Sequence, residues 1–315
     1  MEAQAHVSGE PLVSILIPAY NERFFAEALA SARAQAYPAL EIVVLDDSPG
    51  EAIERAVRQA SDGRVRYARN RERRGFHGNF TACFQQARGE YVKFLNDDDR
   101  LLPQCVPVLA GILRINPGVT LATSRRFVID EAGVRQADRA ATVPLSYVSA
   151  FVPGSELANF VLMNMLNLIG EPTTAMFRRA DLATEPGGIF RWDGHDYHCL
   201  ADLSVWLRLL ARGTAFYCAE GLSEYRVHGE QEQATFAGSV SCVLERRLIA
   251  LRARAAGFLA GPGQYAAALN AARYFALSTD FVRAPPEVAR QIRAEVRAID
   301  EEIVRAGGEP LASPL

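Results

Sequence analysis

Three consecutive carboxylates, Asp97, Asp98 and Asp99, stand in the stretch KFLNDDDRLLP at 93–103. They follow a short apolar run and precede a segment with helical spacing, so they are expected at the end of a strand. Adjacent carboxylates repel one another, but a hard divalent cation stabilises such a cluster and can bridge it to phosphate. The alternative is a helix cap, for which one aspartate would suffice. The pattern therefore predicts a divalent-cation site that binds a phosphate ligand.

Polar residues follow two earlier apolar runs in the same way. PAYNE at 18–22 follows the first run, and Asp46 and Asp47 end the second. Tyr20 is suited to stacking on a nucleobase, and a strand-end aspartate can accept a hydrogen bond from a base or a ribose. Because side chains alternate along a strand, only one of the two aspartates is expected to face the ligand. Rim packing for the tyrosine and a turn role for the aspartates are the alternatives.

The elements that position these residues alternate along the first half of the chain. Apolar runs predict strands at 12–18, 40–47, 64–68, 91–95 and 119–124, and helical spacing predicts helices at 23–36, 51–60, 79–88 and 103–115. This alternation is typical of a parallel, doubly wound α/β sheet, in which ligands bind beyond the carboxyl ends of the strands. Residues 131–160 have little periodicity and are interpreted as an insertion, and the region 239–306 has helical spacing.

Composition limits the classes of partner. The chain has 315 residues, of which 49% are hydrophobic and 23% are charged, with a formal net charge of -3. A nucleic-acid-binding protein usually has a clear basic excess, so nucleic acid is not expected as a partner. Neither GxGxxG nor a P-loop sequence is present, so a dinucleotide or a P-loop nucleotide is not expected either. Arg71, Arg73 and Arg74 can supply positive charge for phosphate groups, with a solvated basic turn as the alternative.

Cellular location is inferred from what the sequence lacks. No apolar run is long enough to span a bilayer, and the first residues have no signal-peptide pattern, so a cytoplasmic protein is expected. A basic helix near 246–254 could touch the inner face of an anionic membrane, although a solvated helix face is the preferred interpretation. The five cysteines lack CxxC spacing and are expected to be buried, reduced thiols.

These motifs, in this order, resemble family-two glycosyltransferases with the GT-A fold. The donor half is matched by PAYNE, VLDDS, the segment from Gly75 to Asn79 and GEYVKFLNDDDRLLP, and the acceptor half by ADLSVWLRLLARG at 201–213 and YRVH at 225–228. The resemblance covers residues 12–230. It implies a mostly parallel, doubly wound sheet flanked by helices, to which the spacing at 239–306 adds a helical C-terminal region. It also implies an inverting transferase that uses a nucleoside-diphosphate sugar, usually with Mn²⁺ or Mg²⁺.

The resemblance also assigns roles to individual residues. In the family's DxD-type motif the last aspartate binds the metal, and alignment of LNDDD with the usual LDxDD puts Asn96 at the first position of DxD and Asp98 at its last. The expected metal ligands are Asp98, Asp99 and His228, and the expected nucleotide-binding residues are Pro18, Tyr20, Glu22, Asp46, Asp47, Arg74, Asn79, Asn96 and Asp97. A helix cap is the alternative for Asn79, and a structural role is the alternative for His228.

Asp202 is the residue expected to act as the general base. Inversion requires a base that takes the proton of the acceptor hydroxyl while that hydroxyl attacks the anomeric carbon. Asp202 opens an apolar helix, so its carboxylate can project from the amino end toward the cleft; an N-cap is the alternative. The family usually has Glu at the preceding position, where this chain has Ala201. Residues expected on the acceptor side are Glu171, Thr173, His195 and His198, of which the two histidines also have the HxxH spacing of a weak zinc motif.

The predicted organisation is a flexible start at 1–11, a nucleotide-sugar half at 12–130, an acceptor half at 131–235, a helical region at 236–306 and a tail at 307–315. The helical region is expected to pack on the catalytic domain or on a second subunit. The predicted function is inverting, metal-dependent transfer from a UDP or TDP sugar to a hydroxyl of a glycan, a lipid-linked sugar, a natural product or a protein. A catalytically impaired nucleotide-sugar or glycan-binding protein is the alternative, followed by a sugar nucleotidyltransferase, which would need a Gly-rich loop after the first strand.

Overall fold

The computed structural model describes residues 9–229, 236–278 and 285–311. In these ranges the strands are β1 (Val13–Ala19), β2 (Leu40–Asp46), β3 (Val65–Arg69), β4 (Tyr91–Phe94), β5 (Arg100–Leu101), β6 (Val119–Ile129), β7 (Arg135–Gln136), β8 (Ala150–Pro153), β9 (Met176–Arg178), β10 (Arg191–Trp192), β11 (His195–Asp196) and β12 (Thr214–Arg226). The helices are α1 (Phe25–Arg33), α2 (Ala52–Ala60), α3 (Gly75–Gln85), α4 (Cys105–Ile115), α5 (Gly154–Asn164), α6 (Ala201–Leu210), α7 (Phe236–Ala255), α8 (Pro262–Ser278) and α9 (Pro286–Arg305). Parts of the predicted flexible start and tail lie outside the described residues.

The main sheet has the strand order β3-β2-β1-β4-β9-β6-β12-β5. β1 is parallel to β2 and β4, β2 is parallel to β3, and β6 is parallel to β12. β9 runs antiparallel to its neighbours β4 and β6. The predicted mostly parallel, doubly wound α/β sheet flanked by helices is therefore confirmed. After β3 the chain returns to the other side of β1 to form β4, and this reversal opens a crevice of the kind in which α/β proteins bind ligands.

Burial explains why the central strands are continuous apolar runs. Every residue of β1 and β2 is buried, because helices cover both faces of the sheet. α1 and α4 contribute to the core on one face, and α3, α5 and α6 contribute on the other. The buried Trp206 of α6 donates its indole N–H to the carbonyl oxygen of Gly170 at 2.9 Å. This hydrogen bond ties α6 to the loop before β9, and both segments contribute to the site.

Three segments differ from the sequence-based expectation. α3 begins at Gly75 rather than at residue 79, because the Asp47 carboxylate accepts hydrogen bonds from backbone N–H groups at the start of this helix. β6 continues to Ile129, because β12 pairs with it as far as that residue. The region interpreted as an insertion contains α5, whose Gly154 lies so close to the α6–β12 connection that a Cβ atom would be 2.1 Å from a backbone carbonyl oxygen. Local sequence patterns do not reveal such long-range contacts.

The expectation of five free thiols is wrong. Cys199, in the loop before α6, forms a disulfide with Cys242 on α7, with a Cα–Cα distance of 5.0 Å. Cys83, Cys105 and Cys218 are buried and free, as expected. The two bonded cysteines are 43 residues apart in sequence, so only the packing of α7 beside α6 brings them together.

α7, α8 and α9 pack against one another, and α8 also packs against α5. Each arginine of α7 that was considered for membrane contact has a protein partner. The pairs are Arg246 over the ring of Phe275, Arg247 with Glu295, Arg252 with the carbonyl oxygens of Trp192 and Asp193, and Arg254 over the ring of Tyr265. These contacts leave membrane binding through this helix without structural support. Within the described ranges, no helix has both the length and the apolar character needed to cross a bilayer.

Candidate active site

A cleft follows the carboxyl ends of β1, β2 and β4, where the strand order reverses. It has two adjoining cavities of about 300 and about 910 Å³, which share Tyr20, Asp47, Pro49 and Arg73. The predicted site residues that line the cleft are Pro18, Tyr20, Glu22, Asp47, Asn79, Asn96, Asp97, Asp98, Glu171, His198, Asp202 and His228. The predicted site residues that line neither cavity are Asp46, Arg74, Asp99, Thr173 and His195. The fold thus brings residues from both predicted halves to one cleft.

The two strand-end aspartates have different environments. Asp46 is fully buried and accepts hydrogen bonds from the backbone N–H of Ser48 and the hydroxyl of Tyr67, both at 2.8 Å. Asp47 lines both cavities, and its carboxylate accepts hydrogen bonds from Asn70 and from the backbone at the start of α3. The geometry therefore favours Asp47 as the ligand-facing aspartate and leaves Asp46 a structural role.

The smaller cavity combines an aromatic ring with positive charge. Tyr20 is 45% exposed, and the guanidinium of Arg73 lies 4.5 Å from the centre of its ring. Arg69 and Arg71 line the same cavity. Arg74 does not, because its guanidinium donates to Asn70 at 3.0 Å and its backbone N–H binds Asp47. Positive charge for a diphosphate would therefore come from Arg69, Arg71 and Arg73 rather than from Arg74.

Asn79 joins the ends of two strands rather than capping a helix. It lies inside α3, is 3% exposed, and donates to the carbonyl oxygen of Leu45 at 3.1 Å. Its side-chain oxygen accepts a hydrogen bond from Asn70 at 2.9 Å. Glu22, at the other side of the first loop, accepts a hydrogen bond from Ser48 at 3.3 Å. Both residues therefore hold the loops that border the nucleotide side of the cleft.

The three consecutive carboxylates point in different directions. Asp97 accepts a hydrogen bond from the backbone N–H of Asn21 at 2.6 Å and so fixes the loop after β1. Asp98 faces the cleft, where its Oδ2 lies 3.0 Å from Nε2 of His228. Asp99 is 1% exposed and accepts a hydrogen bond from the Thr173 hydroxyl at 2.6 Å. The assignment of Asp99 as a metal ligand is not supported by this geometry, because its oxygens are engaged behind the cleft.

Burial of this cluster has an electrostatic cost. Desolvation and the charge of Asp98 raise the pKa of Asp97 to about 7. The same two causes raise the pKa of Asp99 well above its ordinary value. Asn96, at the first position of the acidic motif, has its side-chain Oδ1 buried in the cleft wall without a hydrogen-bond partner in the described chain. The cluster therefore has an oxygen atom that is available as a metal ligand, and its negative charges repel one another. Both features suit a cation.

Two buried basic residues that the sequence analysis did not assign bind the backbone of the acidic loop and of the segment beside it. Arg226 is fully buried, pairs with Glu27 at 2.7 Å, and donates from Nε to the carbonyl oxygen of Asp98 at 2.7 Å. Lys93 of β4 is fully buried and donates to the backbone carbonyl of Thr173, and its burial lowers its pKa. A lysine inside the apolar run YVKFL and the arginine of YRVH were the visible signals for these roles.

Asp202 lies in the first turn of α6 and lines the larger cavity. Asn167 donates from its side-chain amide to Asp202 Oδ2 at 3.2 Å and to the carbonyl oxygen of Gly170 at 3.0 Å. Burial raises the pKa of Asp202 to about 7, and the negative charge of Glu171 adds to this increase while Arg126 opposes it. A carboxylate with this pKa can accept a proton near neutral pH.

The helix-capping alternative for Asp202 is not what the structure contains. The backbone N–H groups of His198, Cys199 and Leu200 donate to the carboxylate of Glu245 on α7, at 2.7, 3.0 and 2.9 Å. Glu245 therefore satisfies the backbone donors just before α6, and the N-cap position of this helix is Leu200, with no side-chain capping hydrogen bond. The neighbouring Ala201 is buried in the core, so its small side chain does not face the cleft.

The predicted acceptor-side residues separate into two groups. Glu171 and His198 line the larger cavity, and Glu171 forms an ion pair with the buried Arg126, with 2.7 Å between Oε2 and Nε. Thr173 is buried against Asp99, and His195 packs edge-on against Tyr197 with ring centroids 4.8 Å apart. Among the described residues, no group of three or more His, Cys, Asp or Glu side chains is arranged to hold a metal ion, so the zinc interpretation has no support.

Comparison with known families decides the class of protein. A model described as glycosyl transferase family 2 matches residues 14–184. The chain belongs to glycosyl transferase family 2. The resemblance found in the sequence is thereby confirmed, and the protein is a glycosyltransferase.

Relatives of this family-2 chain differ in how much of it they cover. An uncharacterized protein of Mycobacterium tuberculosis, MT1568, is 32% identical over 249 residues, which are 76% of this chain and 75% of that protein. GalNAc(5)-diNAcBac-PP-undecaprenol beta-1,3-glucosyltransferase of Campylobacter jejuni is 35% identical over 103 residues, only 31% of this chain and 33% of the enzyme. The fold is similar to that of Staphylococcus aureus TarS 1-349 in complex with UDP-GlcNAc, with a TM-score of 0.65, 15% identity and coverage of 94% of this chain and 81% of that chain.

Proposed function

We propose that this family-2 protein is an inverting transferase that moves a sugar from a nucleoside-diphosphate sugar to an acceptor hydroxyl, with Asp202 as the general base. The proposal includes a divalent cation bound at Asp98. The main support for this proposal is that residues of the nucleotide side, Asp98 and Asp202 line one cavity of about 910 Å³. Donor, cation and base can therefore act on one anomeric carbon.

The smaller cavity is suited to a pyrimidine nucleotide. The exposed ring of Tyr20 can stack on a base, and Asp47 has an oriented carboxylate beside it. Arg71 and Arg73 line the same space and supply positive charge for phosphates. TarS, which shares this fold, has been solved in complex with UDP-GlcNAc and with UDP. We therefore propose UDP or TDP as the carrier of the donor sugar.

The residues around Asp98 fit a divalent cation that is shared with the donor. Asp98 and His228 converge at 3.0 Å, and Oδ1 of Asn96, which has no hydrogen-bond partner among the described residues, lies in the same cavity wall. Mg²⁺ is commonly held by one or two carboxylates together with substrate phosphates rather than by an all-protein cage, and Mn²⁺ accepts similar oxygen ligands with imidazole. When bound, such an ion would neutralise charge on the leaving diphosphate.

The proposed reaction is a single displacement. The acceptor oxygen bonds to the anomeric carbon while the bond from that carbon to the diphosphate oxygen breaks, and the diphosphate leaves with the electron pair. Asp202 takes the hydroxyl proton, and its pKa of about 7 makes it a matched base near neutral pH. Asn167 orients the carboxylate through its hydrogen bond of 3.2 Å.

A screen of nucleotide sugars tests the donor. Thermal stability and nucleoside-diphosphate release are measured with UDP and TDP sugars, each with Mn²⁺ and with EDTA. A ligand at a hundred times its dissociation constant should stabilise the fold by about 2.7 kcal/mol. Stabilisation without any turnover or hydrolysis would favour the catalytically impaired binding protein. A sugar nucleotidyltransferase is disfavoured by family membership and by the PAYNE loop in place of a Gly-rich one.

A further inference from the structure

A cluster of aromatic rings lines the cleft next to its nucleotide side. Phe76 is 39% exposed and lines the larger cavity. Its ring stacks on Phe190, with centroids 5.4 Å apart and 11° between the planes, and lies 4.4 Å from the ring of Phe80. Phe80 packs in turn on the buried Phe94 at 5.3 Å. The Phe76 ring is thus supported from behind while part of it faces the cleft. Phe76, Phe80 and Phe190 are called the aromatic platform below.

Two histidines connect the aromatic platform to the helix that carries the base. The ring of His77 lies 5.3 Å from that of Phe190 and 4.3 Å from that of His198. His198 lines the cleft and precedes Asp202 by a segment that spans at most about 14 Å. Burial and the neighbouring His198 lower the pKa of His77 to about 4, so its imidazole is neutral at pH 7. The platform and the base therefore line the same cleft, and the platform carries no positive charge from His77.

Charge on the α6 side of the cleft disfavours an anionic acceptor. Among the described residues, the arginines that line the larger cavity are Arg23 and Arg73, which lie on the nucleotide side. On the α6 side, the described residues that line the cavity include the carboxylates of Glu171 and Asp202 and the imidazole of His198, but no lysine or arginine. The guanidinium that pairs with Glu171 belongs to the buried Arg126 and is 2% exposed. A negatively charged acceptor would meet no lysine or arginine among these described residues and would be repelled by the Asp202 carboxylate.

We propose that Phe76 forms the acceptor subsite and that the acceptor is an uncharged saccharide whose apolar ring face packs on the phenyl ring. Small-molecule sites combine aromatic walls with a few polar groups, and one face of a pyranose presents C–H groups that match an aromatic ring. A hydroxyl at the edge of such a sugar would then approach Asp202. The inference rests on the proposed function, because it takes Asp202 as the base.

Saturation-transfer NMR on the full-length protein, with and without UDP, tests this subsite. The probes are neutral methyl hexopyranosides and their 2-acetamido counterparts, each compared with the corresponding hexose 6-phosphate. At least one neutral glycoside should bind, with the strongest saturation at the C–H groups of one ring face. Its phosphorylated counterpart should bind more weakly by roughly tenfold or more, a difference that competition titrations resolve readily.

Variants at Phe76 distinguish a loss of sugar stacking from a loss of packing within the protein. Phe76→Ala and Phe76→Leu should weaken glycoside binding by roughly five- to tenfold, the range expected for one aromatic contact, whereas Phe76→Trp should retain it. Phe76→Leu keeps most of the apolar volume, so its melting temperature reports whether the fold is intact. Phe151→Ala is the matched control, because Phe151 is 52% exposed and does not line the cleft.

Three results would contradict the proposed subsite. The first is glycoside affinity that is unchanged in both Phe76→Ala and Phe76→Leu, and the second is tighter binding of the phosphorylated sugars. The third is a protein that binds UDP but no neutral glycoside. Failure of the wild type to bind UDP is a separate result. If a neutral glycoside still bound through Phe76 in that case, the proposed donor would be wrong and the subsite would stand.

Discussion

Replacing Asp202 by Asn removes the proposed base while keeping its shape. The amide cannot accept the acceptor proton, but it fills the same space in the first turn of α6. Because Glu245 satisfies the backbone donors just before this helix, the substitution should not loosen its start. Turnover should fall by roughly a hundred- to ten-thousandfold, the usual contribution of a positioned general base. Donor affinity should change little, since Tyr20, Asp47 and Asp98 lie on the nucleotide side.

The pKa of Asp202 gives this prediction a second readout. The base must be deprotonated to act, and burial raises its pKa to about 7. The deprotonated fraction then rises from about one tenth at pH 6 to about nine tenths at pH 8, so kcat/KM of the wild type should rise roughly tenfold over this range. Asp202→Asn should lose this rising limb, whereas a purely structural role would leave the pH profile unchanged.

The assay is release of the nucleoside diphosphate, measured beside the melting temperature and the donor affinity. Glu301→Gln serves as the control, because Glu301 is an exposed carboxylate on α9 outside the cleft. Turnover of Asp202→Asn within a few-fold of the wild type, in folded protein, would refute Asp202 as the base. Glu171, which also lines the larger cavity, would then be the carboxylate to test.

The metal and nucleotide assignments make their own predictions. Asp98→Ala should abolish Mn²⁺-dependent nucleotide binding in calorimetry, and affinity that is unaffected by EDTA in the wild type would exclude the metal from the mechanism. Asp99→Ala should keep measurable binding but lower the free energy of unfolding by about 1–3 kcal/mol, because its buried carboxylate accepts hydrogen bonds from the surrounding structure. UDP or TDP should bind more tightly than NAD or ATP, since Tyr20 and Asp47 suit a pyrimidine; tighter NAD binding would contradict the ligand assignment.

The fold was predictable because its strongest signals are local. The fully buried strands β1 and β2 appear in the sequence as continuous apolar runs, and helical spacing between the strands indicates the doubly wound sheet. Polar residues at the strand ends then located the cleft, because parallel strands bring their carboxyl ends to one edge. Tyr20, Asp47 and Asp98 all lie there.

The parts that sequence reasoning missed depend on distant contacts. The different directions of the Asp97, Asp98 and Asp99 side chains are decided by hydrogen bonds from the loop after β1, from the segment before β9 and from β12. The disulfide and the capping of the α6 start by Glu245 both require α7 to lie beside α6. The platform around Phe76 likewise joins α3 to a segment more than a hundred residues later in the chain. No local periodicity encodes these pairings.

The most direct measurement is the anomeric configuration of the product from wild-type protein. A panel of α-linked UDP and TDP sugars is incubated with protein and Mn²⁺, and early proton NMR spectra record the sugar transferred or, without acceptor, released to water. The proposed mechanism predicts a β-configured product, formed in the presence of Mn²⁺ and lost in Asp202→Asn. An α-configured product would contradict single displacement with Asp202 as the base, and binding of a nucleotide sugar without any product would contradict the proposed catalytic function.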